Sequence, residues 1–182
     1  MTTVHVLLLP GWLNSGPEHW QSRWERRFGY SRVEQSDWQW PRRGDWMARL
    51  DEVLQEDDRP TLLAAHSLGC HLVASWAQHS QHSARVIGAL LVAPPDTRAT
   101  DLPPQLHNWR PTRSKPKYSP LPFPSITVIS TNDPFCASDR ATQMAADWGS
   151  RLLVVGPLGH LNSASNLADW PLGQGLIAEL QR

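Results

Sequence analysis

The chain has 182 residues with 17 Lys plus Arg against 17 Asp plus Glu, so no net field draws it to nucleic acid or to an anionic membrane surface. That length suits one domain, residues 1–182, burying roughly 70% of the unfolded chain's surface. The two cysteines, Cys70 and Cys136, make no disulfide framework, and no run approaches the 18 or so apolar residues of a membrane span, so a reducing cytoplasm is the expected location.

In chain order the pattern alternates. Residues 4–9, apolar but for His5, read as a strand too short for the core of a signal peptide and closed at once by Pro10-Gly11. A loop rich in Gly, Asn, Ser and Pro runs to Pro17, and a helix follows to about Gly29 with Trp20, Trp24 and Phe28 on one stripe. Ten tryptophans are many for this length, and most fall at helical spacing, which reads as core. Residues 31–36 allow a short strand. Beyond Pro41, the spacing of Trp46, Met47, Leu50, Val53 and Leu54 marks a second helix that ends in the charged run 56–59. Residues 61–65 form a strand that passes through Ser67 directly into a helix carrying Leu68, Leu72, Val73, Trp76 and Ala77, to about Ser80. Residues 86–93 are nearly continuously apolar, as in a central strand covered on both faces.

Nine of the sixteen prolines fall within 94–124, together with Trp109 and the basic Arg110, Arg113, Lys115 and Lys117. That excludes a regular helix or central strand and predicts an ordered, extended excursion inside the domain. It leaves the fourth strand at the functional rim, either as a cap or as a surface connection, and its basic residues read as a solvated face. Residues 126–130 and 152–155 are two more strands, separated by a helix with Ala141, Met144, Ala145 and Trp148; Leu172, Leu176, Ile177 and Leu180 mark the last helix. Six strands alternating with helices predict an α/β fold, a six-stranded parallel sheet with helices on both faces and the ligand crevice at the carboxyl ends of its strands.

The stretch Ala65-His66-Ser67-Leu68-Gly69 has the layout of a nucleophile elbow, with Ser67 at a strained strand-to-helix tip and small residues on either side where strand and helix backbones approach. Five residues alone are weakly specific, so position has to decide. Of eight histidines only His160 follows the last strand, and Asp133 follows the fifth. Ser67, Asp133 and His160 therefore come in the chain order of an α/β-hydrolase triad, on one rim. Asp96, after the fourth strand, is the rival acid, and Asp133 before Pro134 also suits an Asx-Pro turn. In a triad, Ser67 would attack an acyl carbonyl, His160 would take and return the proton, and Asp133 would orient the imidazole. The oxyanion would need two main-chain donors, expected at Leu68 and at Trp12 in the loop after the first strand. Trp12 and Phe135 are candidates for the substrate pocket. His5, His19, His66, His71, His79, His82 and His107 show no metal-ligand spacing and read as surface or packing residues. The His66 ring should leave the turn away from the nucleophile. Cys136, with no basic neighbour in sequence, reads as an inert thiol. No metal or cofactor is called for; a small acyl substrate is, while protein partners stay open.

Several segments together carry a resemblance: Leu9-Pro10-Gly11, Gly16-Pro17-Glu18-His19-Trp20, His66-Ser67-Leu68-Gly69, Leu121-Pro122-Phe123-Pro124-Ser125, Asn132-Asp133-Pro134-Phe135, Gly159-His160-Leu161-Asn162 and Trp170-Pro171. In these the chain resembles the small serine hydrolases grouped with retinoblastoma-binding protein nine, a minimal branch of the α/β-hydrolase fold. The resemblance implies a compact six-stranded sheet without the antiparallel leading hairpin of larger members, a catalytic set of Ser67, Asp133 and His160, and esterase-like hydrolysis. The retinoblastoma-binding signature Leu-x-Cys-x-Glu is absent, since Leu68-Gly69-Cys70-His71-Leu72 ends in leucine. The leading reading is a serine hydrolase acting on a small ester, with a thioester or an amide as further substrate classes; alternative readings are an acyltransferase, or a non-catalytic protein-binding module that retains the fold.

Overall fold

The structure, a computed structural model, describes residues 3–111 and 119–182; Arg113, Lys115 and Lys117 of the proline-rich excursion lie outside the described residues. Six strands form one parallel sheet: β1 (His5–Leu9), β2 (Ser31–Arg32), β3 (Thr61–His66), β4 (Val86–Val92), β5 (Ser125–Ser130) and β6 (Arg151–Val155), in the order β2-β1-β3-β4-β5-β6. Between and after them lie α1 (Trp20–Phe28), α2 (Arg43–Gln55), α3 (Leu68–Ala77), α4 (Ser138–Asp147) and α5 (Pro171–Leu180).

Period-two alternation along the strands divides the core. Leu7, Leu9, Leu63, Ala65, Ala89 and Leu91 face α2, α3 and α4, whereas Val6, Leu8, Leu62, Ala64, Leu90 and Val92 face α1 and α5. Because β3 and β4 are apolar on both faces, they are buried along nearly their whole length. Seven tryptophans, Trp20, Trp24, Trp46, Trp76, Trp109, Trp148 and Trp170, are buried. Phe28 and Leu172, expected on the apolar stripes of the first and last helices, are instead 41% and 48% exposed. Each sits near a helix end, and Phe28 packs instead beside Tyr30, with ring centroids 5.5 Å apart.

The chain crosses from β1 to β2 on one side of the sheet and returns to β3 on the other, so β1 and β3 flank the topological switch point. In open α/β sheets the crevice for ligands opens there, at the carboxyl ends of the strands. Leu9-Pro10-Gly11 and His66-Ser67 are the residues that occupy those ends. The excursion that follows β4 contains a 3-10 turn, Pro104–Trp109, and is tied down at Pro95 and at Trp109. His71 Nε2 donates to the Pro95 carbonyl at 2.7 Å, and Trp109 Nε1 donates to the Pro41 carbonyl at 2.8 Å. Among the described residues no helix is long and apolar enough to cross a membrane.

Candidate active site

Ser67 has φ 54 and ψ −123, a conformation that costs a non-glycine residue of order 1–3 kcal/mol and persists only where its surroundings hold it. They do so here from two sides. The Ser67 N–H donates to the Val92 carbonyl of β4 at 2.8 Å. Behind it, Gly69 packs so closely that a Cβ there would lie 2.3 Å from the Leu9 carbonyl oxygen. Gly69 is thus small because helix α3 meets the end of β1, the neighbouring strand, and not the strand it grows from as the elbow pattern alone suggested. Serine is a favoured N-cap, yet the Ser67 side chain makes no hydrogen bond to its own helix.

It is engaged elsewhere. Ser67 Oγ lies 2.9 Å from His160 Nε2, and His160 Nδ1 lies 2.8 Å from Asp133 Oδ2 and 3.0 Å from Oδ1. An ionised carboxylate only accepts, so Nδ1 carries the imidazole hydrogen and Nε2 is left to accept from the serine hydroxyl. Asp133 and His160 are both nearly buried, with 5% and 9% of their side chains exposed. Asp133 also accepts the Phe135 N–H at 2.9 Å, so the turn bond and the bond to His160 fall on the same carboxylate. Asp96 faces Arg140, at 3.5 Å, and its own turn, with its N–H bound to the Phe135 carbonyl; it does not contact His160.

In the loop after β1, Leu13 and Asn14 both have positive φ, and their N–H groups are spent on the Trp38 and Gly11 carbonyls at 3.1 and 3.2 Å. Among the described residues, the N–H groups of Trp12 and Leu68 donate to no protein acceptor. These are the two donors expected for an oxyanion. Leu68 also opens α3, so the helix dipole adds positive potential there. Gly11 brings the two loops together, for a Cβ on it would lie 2.7 Å from Ser67 Cβ and 3.1 Å from Leu68 N.

Around Ser67 opens a cavity of about 670 Å³ whose walls include Trp12, Leu13, Pro95, Leu102, Leu106 and Phe135. The first part of the proline-rich excursion therefore forms one wall. Phe135, though 57% exposed, packs its ring edgewise on His160 at 4.6 Å, and Trp12 Nε1 is tied to the Gln39 carbonyl at 2.9 Å.

Residues that sequence patterns passed over hold this geometry. Arg32, its side chain 8% exposed, donates to Asn14 Oδ1, the Ser15 carbonyl, Ser22 Oγ and Glu25, and so braces the loop that carries Trp12. Buried Gln21 joins Ser15 Oγ to the Ala64 carbonyl. Ser130 and Asn132 hold the Leu158 and Gly159 N–H groups just before His160. Burial drives His19 down to about 3 and His71 down to about 4, and pushes His66 well below the usual histidine range. Three of the histidines nearest the site thus stay neutral beside His160 or behind its elbow. Cys136 does have a basic neighbour, Arg140, contrary to the expectation from sequence. Burial and the carboxylates of Asp96 and Asp133 outweigh it and push the thiol up to about 12.

Sheet, elbow and rim define a compact α/β-hydrolase. The chain belongs to the serine hydrolase family, whose sequence pattern matches residues 6–179. It is similar to the solved structure of a YdeN-like hydrolase from Pectobacterium atrosepticum, with 31% identity over 98% of this chain and 90% of that one and a TM-score of 0.84. The ydeN gene product of Bacillus subtilis shares the fold at 18% identity, with 98% and 99% coverage and a TM-score of 0.76. A Bacillus cereus carboxylesterase does so at 18% identity, with 87% and 81% coverage and a TM-score of 0.59. A comparison with curated proteins finds no match.

Proposed function

We propose that this serine hydrolase cleaves small, uncharged carboxylic esters through an acyl-enzyme on Ser67, with His160 as base and acid and Asp133 as its orienting partner. The observation that carries the reading is the unbroken hydrogen-bond path from Ser67 Oγ through both nitrogens of His160 to Asp133. Ser67 Oγ bonds to the acyl carbon as its proton passes to His160 Nε2, and the carbonyl electron pair moves onto oxygen to form an oxyanion facing the Leu68 and Trp12 N–H groups. The pair returns, the bond to the alkoxide breaks, and Nε2 gives its proton to the departing alcohol. Water then repeats the sequence and releases the acid. Asp133 stabilises the transient imidazolium across 2.8 Å. The apolar walls of the cavity, Trp12 and Phe135 among them, suit a short hydrocarbon acyl group, and two unpaired cysteines suit a single cytoplasmic domain.

A fluorophosphonate probe tests the reading, because it captures only an activated serine. The wild type should label and turn over short-chain p-nitrophenyl esters, and Ser67→Ala should abolish labelling and lower turnover by at least about 1,000-fold. Labelling of Ser67→Ala would displace the nucleophile. A folded wild type that never labels would instead be a binding module on a hydrolase frame, and acyl transfer to an added alcohol in preference to water would make it an acyltransferase.

A further inference from the structure

His66 precedes the proposed nucleophile and is expected from sequence to be a surface or packing residue. The residue is 5% exposed, and its Nε2 lies 2.8 Å from the main-chain oxygen of His160. A carbonyl oxygen only accepts, so Nε2 carries the hydrogen and His66 is the neutral donor. The ring is packed edge to face between those of His160, at 4.9 Å, and His19, at 4.6 Å. His19 is committed in turn, since its Nδ1 accepts the Gln21 N–H as the N-cap of α1.

The loop that bears His160 makes this bond matter. His160 lies between two residues in the left-handed region, Gly159 at φ 60 and Leu161 at φ 49, and for leucine that conformation costs roughly 1–2 kcal/mol. Its peptide groups are held from separate elements. Leu158 N–H donates to Ser130 Oγ at 2.9 Å, Gly159 N–H to Asn132 Oδ1 at 2.7 Å, and the Leu161 carbonyl accepts from Trp20 Nε1 at 3.0 Å. The His66 bond is the one in this set made to the main chain of His160 itself.

We infer that His66 is a positioning residue whose Nε2–H bond to the His160 carbonyl, more than its bulk, fixes the line on which the His160 ring meets Ser67 and Asp133. The inference rests on the triad reading given above. Two variants separate the bond from the bulk. His66→Phe keeps a ring and removes the donor, while His66→Gln places an amide N–H close to where Nε2–H stood.

The readouts are the second-order rate of fluorophosphonate capture and kcat on a short-chain p-nitrophenyl ester, each alongside a melting curve. His66→Phe should lose about 30- to 100-fold in both, the scale expected for a reacting group displaced by up to 1 Å, and His66→Gln should remain within about 5-fold of wild type. Wild-type rates in folded His66→Phe, or an equal loss in folded His66→Gln, would overturn the inference. Should either variant fail to fold, nitrogen NMR of the histidines in the wild type decides. His66 is expected as the Nε2–H tautomer throughout pH 6 to 8, and an Nδ1–H tautomer or an imidazolium would overturn the role. A wild type that the probe does not capture defeats the esterase reading and this role with it, whereas captured wild type with an unchanged His66→Phe defeats only the role.

Discussion

Gly11→Ala probes the proposed oxyanion site at its tightest contact. The added methyl carbon would sit 2.7 Å from Ser67 Cβ and 3.1 Å from both the His66 carbonyl oxygen and Leu68 N. Non-bonded carbons settle at about 3.5–4.0 Å, so one side must yield by roughly 1 Å. The elbow is the stiffer side, since Ser67 N–H is bonded to Val92 and Gly69 is pressed against Leu9. The loop carrying the Trp12 N–H therefore gives way. Removing one oxyanion donor costs about 100- to 1,000-fold in turnover, about 2.7–4 kcal/mol of transition-state stabilisation. Gly11 is not in the left-handed region, so alanine brings no conformational penalty to confuse the outcome. We expect kcat/KM on a short-chain p-nitrophenyl ester to fall by about 100-fold with circular dichroism unchanged, whereas Trp12→Ala, which keeps the N–H, should mainly alter acyl preference. A folded Gly11→Ala protein within about 3-fold of wild type would refute a donor at residue 12.

Asp133→Asn should lower turnover by about 10,000-fold through the wrong imidazole tautomer, while Asp96→Asn, whose carboxylate faces Arg140 and not His160, should leave it within about 3-fold; the opposite ranking would move the acid to the fourth strand. Stability should also depend on pH through His19 and His71, held neutral at about 3 and about 4 in the folded protein against about 6.5 when unfolded. Because their folded values are depressed, the unfolded chain binds more protons below about pH 6.5, so their contribution is full above that value and is lost as pH falls towards the folded values, about 2 kcal/mol each by pH 5. Melting temperatures that stay constant from pH 7.5 to pH 5 would contradict this.

The alternating pattern made the sheet and its five helices legible, because period two and period 3.6 are local properties of the chain. The candidate site was legible for a related reason. In a parallel sheet the carboxyl ends of strands share one rim, so Ser67, Asp133 and His160 could be selected by where each follows a strand. What stayed hidden depends on neighbours distant in sequence. Gly69 is confined by Leu9, sixty residues earlier, and Arg140 reaches Cys136 and Asp96 from a helix whose packing no local pattern specifies. Arg32 reads as an ordinary charged residue on a short edge strand, although its guanidinium is nearly buried and holds the loop bearing Trp12. Periodicity likewise marked the stripes of α1 and α5 without showing that Phe28 and Leu172, near the helix ends, stay exposed.

The sheet order also explains why the loop after β6 is so heavily braced. Ser67 stands at the end of β3, and β6 is three strands away through β4 and β5, a distance of about 14 Å at 4.7–4.9 Å per step. Five residues, 156–160, carry the chain from the end of β6 to His160, and fully extended they span at most about 17 Å. The loop is folded and not extended, for Leu158 N–H donates to the Gly156 carbonyl at 2.8 Å and Gly159 turns at φ 60, so the imidazole side chain covers the rest of the distance and its direction depends on how the loop is held. Contacts from the end of β5 and the end of β3 answer that requirement. Ser130 and Asn132 hold the loop where it passes β5, and His66 holds the carbonyl of His160 at the end of β3, beside Ser67. Asp133, carried by that same β5 loop, meets the ring from the opposite side to Ser67. The imidazole is thereby fixed by the span it completes as much as by the two residues it joins.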